Sequence, residues 1–488
     1  MIRRKFISTL VLSVLLCFAA AAQDFSAGAL LYPGQDDSSD VAAGWRFRSE
    51  DRARVVQEGR GLSEGFFDAH TLLHLSGHSA LRGSATYRRG VKRGVRWNST
   101  SDFDLLFPYV LADSVGGDLQ TETYAFGGAY ARRLGDWTAG LSGNYRALHE
   151  YRQVDPRPRN ITSDFEVDAS GGRVLGAYAL DLTLGYRRYF QSQTVSFINQ
   201  RGANTTEFHM TGLGSHFGRF MGTSAYTSTY YRGQGFRAGA SFSALSDDGW
   251  RGSVFFSHTA FVRHLVNQNQ APITRLGVSR LTASLYWLSH RGNNLLQAGG
   301  DVACSLRSGS ENVISNMSTG SFGTLMSLPM YERKSLDARI FGDYHHPVDT
   351  RSGFALRPTL YVRASRAEHV YPARLAEMLV LAGTVRAGYD RTFPSSWRLD
   401  AGLTAGVAAS PAHDLSLPEA YTMPRLLEDM RLQYGVLTDT RADAGADVRI
   451  SRSAGGKMRV YLRGIYLRSF YAGGYAARHA ACAVGLCF

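Results

Sequence analysis

The side chains of this 488-residue chain best placed for chemistry are guanidinium and carboxylate groups that recur at every second position. Arg441, Asp443, Asp447 and Arg449 alternate with Ala442, Ala444, Ala446 and Val448. Beyond a Ser453 to Gly456 turn, Lys457, Arg459 and Arg463 alternate with Met458, Val460 and Leu462. Arg398 and Asp400 stand against Trp397 and Leu399, Asp337 and Arg339 against Leu336, Ala338 and Ile340, Asp181 against Leu180 and Leu182, and Arg237 against Phe236 and Ala238. A period of two puts every charge of a strand on one face and its apolar side chains on the other. Arginine grips carboxylates and phosphates through a planar fork and stays charged at any working pH. The chemistry of such a face is anion binding and ion pairing.

Catalytic and metal chemistry have weaker claims. The histidines are scattered, and no His-Glu-x-x-His helix occurs. His70 and His74 share a strand face but stand about 13 Å apart, too far to chelate one ion. His345 and His346 are neighbours in extended chain, which point apart. The expectation is a protein that is not an enzyme and holds no cofactor or metal. The net charge of +13 becomes 13 − 3 = +10 without Arg3, Arg4 and Lys5, and only four lysines occur, so the excess is guanidinium. Its distribution by strand alternation speaks against nucleic acid.

The elements that must carry these faces are strands. Arg3, Arg4 and Lys5, an apolar run from Phe6 to Phe18 and Ala20-Ala21-Ala22 read as a signal peptide over 1–22, cleaved near Ala22. No later apolar stretch reaches the 18 residues of a helical span. The final strand puts Ala480, Cys482, Val484 and Leu486 on one face and stops on Phe488, as expected of a signal read by the outer-membrane barrel-assembly machinery. Cys304, Cys482 and Cys487 are an odd set, so no disulfide framework is expected.

Clusters of Gly, Asp, Asn, Ser and Pro at 77–78, 134–136, 171–176, 246–249, 290–293, 347–353, 394–396 and 453–456 read as short hairpin turns. Longer connections fall at 91–120, 150–163, 191–233, 308–332 and 409–435. The fold class is all-β, a transmembrane antiparallel β-barrel of about 18 strands, with 16 as the alternative. Short turns are periplasmic and long loops extracellular, with residues 23–40 a periplasmic segment and 41–488 the barrel. In two of the loops Trp97, Phe107 and Tyr109 join aromatics to acids, and Arg157 and Arg159 sit in a proline-stiffened knot, suited to partner or ligand contact.

The Ala22-Gln23 junction, Trp97-Asn98, Pro108-Tyr109-Val110, Asp155-Pro156-Arg157-Pro158 and the terminal Phe488 resemble an uncharacterised Bacteroidota outer-membrane β-barrel family of about this length. The resemblance implies fold and location and carries no site residues. Two functions remain open. One is a channel or uptake component for small solutes, anions among them, with Asp181, Arg237, Asp337, Arg339, Arg398, Asp400, Arg441, Asp443, Asp447, Arg449, Lys457, Arg459 and Arg463 lining the lumen. The other is a non-conducting scaffold whose loops bind a surface lipoprotein, a TonB-dependent receptor or a surface ligand. Outer-membrane lipid and lipopolysaccharide are expected partners in both.

Overall fold

The computed structural model describes residues 25–32, 37–198, 207–220, 228–266, 270–292, 294–315, 323–394, 396–418, 423–456 and 458–488. The chain runs through β1 (Ser38–Glu50), β2 (Gly61–Ser76), β3 (Ser79–Val95), β4 (Leu111–Asp113), β5 (Gly117–Leu134), β6 (Trp137–Tyr151) and β7 (Arg157–Leu175). It continues through β8 (Tyr178–Ser196), β9 (Glu207–Gly212), β10 (Ser215–His216), β11 (Thr229–Ala244), β12 (Gly249–Leu265), β13 (Ala271–Arg291) and β14 (Asn294–Ile314). Then come β15 (Thr324–Pro347), β16 (Ser352–His369), β17 (Arg374–Thr392), β18 (Trp397–Ser416), β19 (Arg441–Gly455), β20 (Met458–Tyr471) and β21 (Ala476–Cys487). All but β4, β9 and β10 form one 18-stranded antiparallel sheet, closed by pairing of β1 with β21. The barrel and the larger of the two strand counts are as the alternation predicts.

Alternation decides which way each strand faces. Outward, β8 presents Leu180, Leu182 and Leu184, the last two 69% exposed, and β18 presents Leu403 and Val407. In water this sleeve of bare aliphatic side chains would be untenable; in a bilayer it is the contact surface. No described helix is long and apolar enough to cross a membrane. Most strands exceed the 9–11 residues that a span requires. Leu180 to Tyr186 lie next to the short-turn end, so the surplus length projects on the long-loop side.

The short turns share one end with Ser38 and Cys487, and the long connections share the other. Gly135 and Gly176 occupy the left-handed region in two-residue turns, where a side chain would be strained. Two expected turns move. Gly171 and Gly172 belong to β7, because a Cβ on Gly172 would strike the Leu180 carbonyl and Asp181 on the neighbouring strand. Likewise β19 runs on to Gly455. The connection expected over 150–163 shrinks to 152–156, because β7 already begins at Arg157. The first strand starts at Ser38, and before it Ala27–Leu31 forms a short helix, α1, whose N-cap Ser26 accepts from Ala29 N. The long connections also hold α2 (Phe103–Leu106), a 3-10 turn at Val56–Glu58 and α3 (Pro424–Thr438).

Candidate functional site

Strands β15 to β20 and the end of β21 enclose a chamber of about 490 Å³ towards the short-turn end of the lumen. Arg357, Arg386, Arg398, Arg449, Arg459 and Arg463 line it with Asp390, Asp400, Asp447, His345 and Cys487. Arg386 donates to Asp447 through two bonds, 2.8 and 2.6 Å. Gly388 and Gly402 make room for that fork, since a Cβ on Gly402 would lie 2.6 Å from the Arg386 guanidinium carbon. Arg398 bridges Asp400 at 3.0 Å and Asp390 at 3.4 Å, and Asp390 also faces His345 at 3.0 Å. Arg357 pairs with Asp343 at 2.7 Å. Arg449 lies 3.9 Å above the Tyr461 ring, reaches Cys487 Sγ at 3.3 Å and stands 3.9 Å from Asp40.

The lining alone carries six arginines against three aspartates, 6 − 3 = +3. With Asp343 and Asp40 at its edge the balance is 6 − 5 = +1. Arg459 has no ion pair among the described residues, so the uncompensated charge of the chamber falls at Arg459, towards the short-turn end of β20.

Of the lumen residues expected from sequence, the chamber collects Arg398, Asp400, Asp447, Arg449, Arg459 and Arg463. Lys457 lies outside the described residues. The others face inward but sit apart. Arg237 pairs with Asp168 at 3.2 Å, Arg339 with Asp301 at 2.8 Å and Asp337 with Arg363 at 2.7 Å. Arg441 and Asp443 pair at 3.0 Å, buried near the long-loop end where Ser469 adds a bond of 2.5 Å to Asp443. Asp181 pairs with no cation among the described residues. It accepts from Thr138 Oγ1 at 2.6 Å and Gly28 N at 3.1 Å, which fastens α1 to the inner wall. Phe25, Ala27 and Leu30 pack there against Ala80, Ala129 and Ala131. A second cavity of about 570 Å³ lies beside α1, bordered by Arg82, Arg251, Asp301 and Arg339.

Sequence reasoning missed His345, Arg357, Arg386 and Asp390. The signal was present in β16, where Arg357, Thr359, Tyr361 and Arg363 alternate with Leu356, Leu360 and Val362, but Pro358 interrupts it. Gly61-Leu62-Ser63-Glu64-Gly65 has the Gly-x-Ser-x-Gly form of a nucleophile elbow. It lies within β2, not on a strand-to-helix turn, and Ser63 Oγ accepts from Trp45 Nε1 at 3.1 Å.

Above the chamber, two long connections fold into the barrel. Residues 96–116 carry α2 and β4, and β9 and β10, from the connection between β8 and β11, complete a three-stranded sheet with β4. Trp97 and Tyr109, expected to face a partner, are instead 3% and 2% exposed. Both are large apolar rings, and they bury in one core with Phe103, Leu106, Val110 and Met210 against wall residues Tyr189, Tyr231, Phe261 and Leu276. Phe107 is half-buried, edge-on to Tyr331 at 5.8 Å. Arg157 pairs with Asp155 at 2.6 Å, and Arg159 is exposed on the outer face of β7.

Polar contacts fix the plug. Asp102 accepts from Arg146 at 2.9 and 2.7 Å and from the Tyr189 hydroxyl at 3.0 Å. Burial opposes its charge, but Arg146, the Tyr189 hydroxyl and Lys92 together hold the Asp102 carboxyl below its ordinary pKa range. Asn160 and Gln193 donate to Ser99 O at 2.9 and 2.7 Å, and Arg152 reaches Asp113 at 2.6 Å. Burial, and then Asp113, push the Glu207 carboxyl well up. Burial likewise raises the Tyr109 phenol. On the far side Trp97 Nε1 donates to Asp429 of α3 at 2.7 Å. The plug thus touches the wall from β6 round to β18, while Val436 of α3 packs on Tyr471 and Tyr475 at the β20–β21 connection.

No group of three or more His, Cys, Asp or Glu side chains suited to a metal occurs among the described residues. The model of a family of unknown function, DUF6850, matches residues 27–488. Among curated proteins none matches the sequence. Three similar solved structures are the ferric preacinetobactin receptor BauA from Acinetobacter baumannii, the outer membrane transporter YddB from Escherichia coli and the monoaromatic hydrocarbon channel CymD. BauA is 9% identical, with 93% of this chain and 80% of that one covered and a TM-score of 0.42. For YddB the figures are 7%, 93%, 81% and 0.39, and for CymD 8%, 95%, 92% and 0.31.

Proposed function

The chain belongs to the DUF6850 family of unknown function, and we propose that this member is an integral outer-membrane barrel for uptake of small anionic solutes, closed at rest by its own loops. In this reading residues 1–22 are removed on export, the short turns face the periplasm and the Arg-lined chamber opens towards it. The observation that carries the closed state is the plug, whose core rings and Asp102 clamp engage the wall on most of the circumference. The anion preference rests on the excess of arginine over aspartate in the chamber lining and on Arg459, which has no ion pair among the described residues.

Planar-bilayer conductance of the refolded barrel tests both parts, with heat-modifiable gel mobility as the check on folding. The intact protein should be silent, and a variant with residues 98–110 replaced by a short glycine-serine linker should give steady steps with an anion-selective reversal potential. Steady steps from the intact protein would overturn the closed state, and cation selectivity in the shortened one would overturn the anion preference. A groove of about 580 Å³ between α3, Arg52 and Tyr475, with Leu432 exposed at its rim, favours a second reading, a scaffold that engages a partner on its outer face. Silence of the shortened variant would favour that reading.

A further inference from the structure

We infer that the outer wall of β8 and β11 to β13 carries a binding site for a phosphorylated lipid headgroup of the outer leaflet. Arg232 of β11 is in register with Val262 of β12, which is in register with Arg275 of β13, so the two guanidinium groups stand two strands apart, about 10 Å. Arg188 joins from β8 at the level of Gln234, one outward position below Arg232. His264, one outward position above, stacks on Tyr230 at 4.6 Å, and Arg232 lies 5.0 Å from the same ring. All three arginines are exposed, and among the described residues none has an ion pair.

The position on the wall identifies the occupant. Below the cluster, Leu180, Leu182, Leu184, Phe236, Val254, Phe256, Leu281 and Leu285 form the lipid-facing sleeve. The cations begin where that sleeve ends on the long-loop side, at the depth of lipid headgroups. From β7 to β14 no outward strand position among the described residues carries Asp or Glu. Elsewhere at this level Arg468 and Arg478, in register on β20 and β21, also lack an ion pair among the described residues, but other outward cations are compensated. Lys334 pairs with Glu332 at 2.5 Å, Arg366 pairs with Glu368 and Glu377, and Arg93 stands 3.6 Å from Asp118. The acid-free wall from β7 to β14 is therefore open to an external anion, and a phosphate held at headgroup depth is the anion that the bilayer offers there.

This inference rests on the outer-membrane orientation proposed above. The test is native mass spectrometry of the full barrel in detergent with phosphorylated lipid A, dephosphorylated lipid A or inorganic phosphate. Replacing Arg188, Arg232 and Arg275 together (R188Q, R232Q, R275Q) should lower occupancy by phosphorylated lipid A about 10-fold or more. Dephosphorylated lipid A should bind both proteins alike. The control Lys334→Gln with Arg366→Gln should stay within about twofold of the unaltered barrel. Unchanged occupancy in the triple variant, or an equal loss in the control, would overturn the site. Displacement of the lipid by millimolar inorganic phosphate would overturn its assignment to a lipid-borne group. Heat-modifiable mobility kept in the triple variant separates loss of this site from failure of the barrel reading.

Discussion

Replacing Arg146 with methionine should loosen the plug without disturbing the barrel. Asp102 takes two hydrogen bonds from Arg146 and one from Tyr189, and the Asp102 and Arg146 side chains are 15% and 29% exposed. Methionine keeps much of the side-chain volume and leaves the carboxylate with the phenol alone. Breaking a buried ion pair from one side costs about 3–5 kcal/mol. The partial exposure of Arg146 lowers this to about 2 kcal/mol. Asp164, the other partner of Arg146, keeps its bonds to Arg187 at 2.9 and 2.8 Å. At about 1.4 kcal/mol per factor of ten, the opening constant of the plug rises about 30-fold. Burial of Trp97, Phe103, Leu106 and Tyr109, about 1.5–3 kcal/mol each, still favours the closed state. The assay is thiol labelling of Ser101→Cys, a fully buried position, in a background with Cys304, Cys482 and Cys487 changed to serine. Where reclosing outpaces labelling, the rate follows the opening constant. A folded Arg146→Met barrel that labels no faster would refute the clamp and remove the main polar support for a closed mouth.

Three further outcomes follow from the same geometry. In the barrel shortened over 98–110, Arg459→Gln with Arg463→Gln should move the reversal potential towards cation selectivity, while the same change made at Arg366 and Lys334 on the outer wall should leave it in place. Burial, and then Asp113, raise Glu207 well above its ordinary 4.5, so the closed plug keeps a proton that the open loop releases. Its stabilising share is complete below about pH 4.5 and fades as pH rises through the raised value; Glu207→Gln should flatten the rise with pH in labelling of the Ser101→Cys probe. Gly309→Val places a Cβ 2.5 Å from the Tyr109 hydroxyl and 2.7 Å from Tyr109 Cε2. Overpacking of about 1–3 kcal/mol should then speed labelling at least fivefold.

Alternation along single strands was enough to read the barrel and the inward facing of residues such as Arg398, Asp447 and Arg463, because a strand's faces are set locally. Which inward charges meet depends on register, and no local pattern reveals that Arg386 of β17 reaches across to Asp447 of β19. The plug was hidden for the same reason, since β4 pairs with β9 across almost a hundred residues. A signal existed even so: Leu105, Leu106, Val110 and Leu111 are too apolar for a solvated loop, and Trp97 and Tyr109 accompany them. The helix α3 was also readable, with Pro424 at its first turn and Leu426, Leu427 and Met430 at helical spacing, in a stretch expected to be loop.

The seam between β1 and β21 joins eleven residue pairs, from Asp40 with Cys487 to Glu50 with Ala477. These partners lie 487 − 40 = 447 to 477 − 50 = 427 positions apart, so the seam has the highest contact order in the molecule. Every nascent or truncated chain therefore exposes two unpaired sheet edges, each a template for strand addition by another polypeptide. Closure must come after the last strand is made, and until then this chain depends on being kept from its own copies.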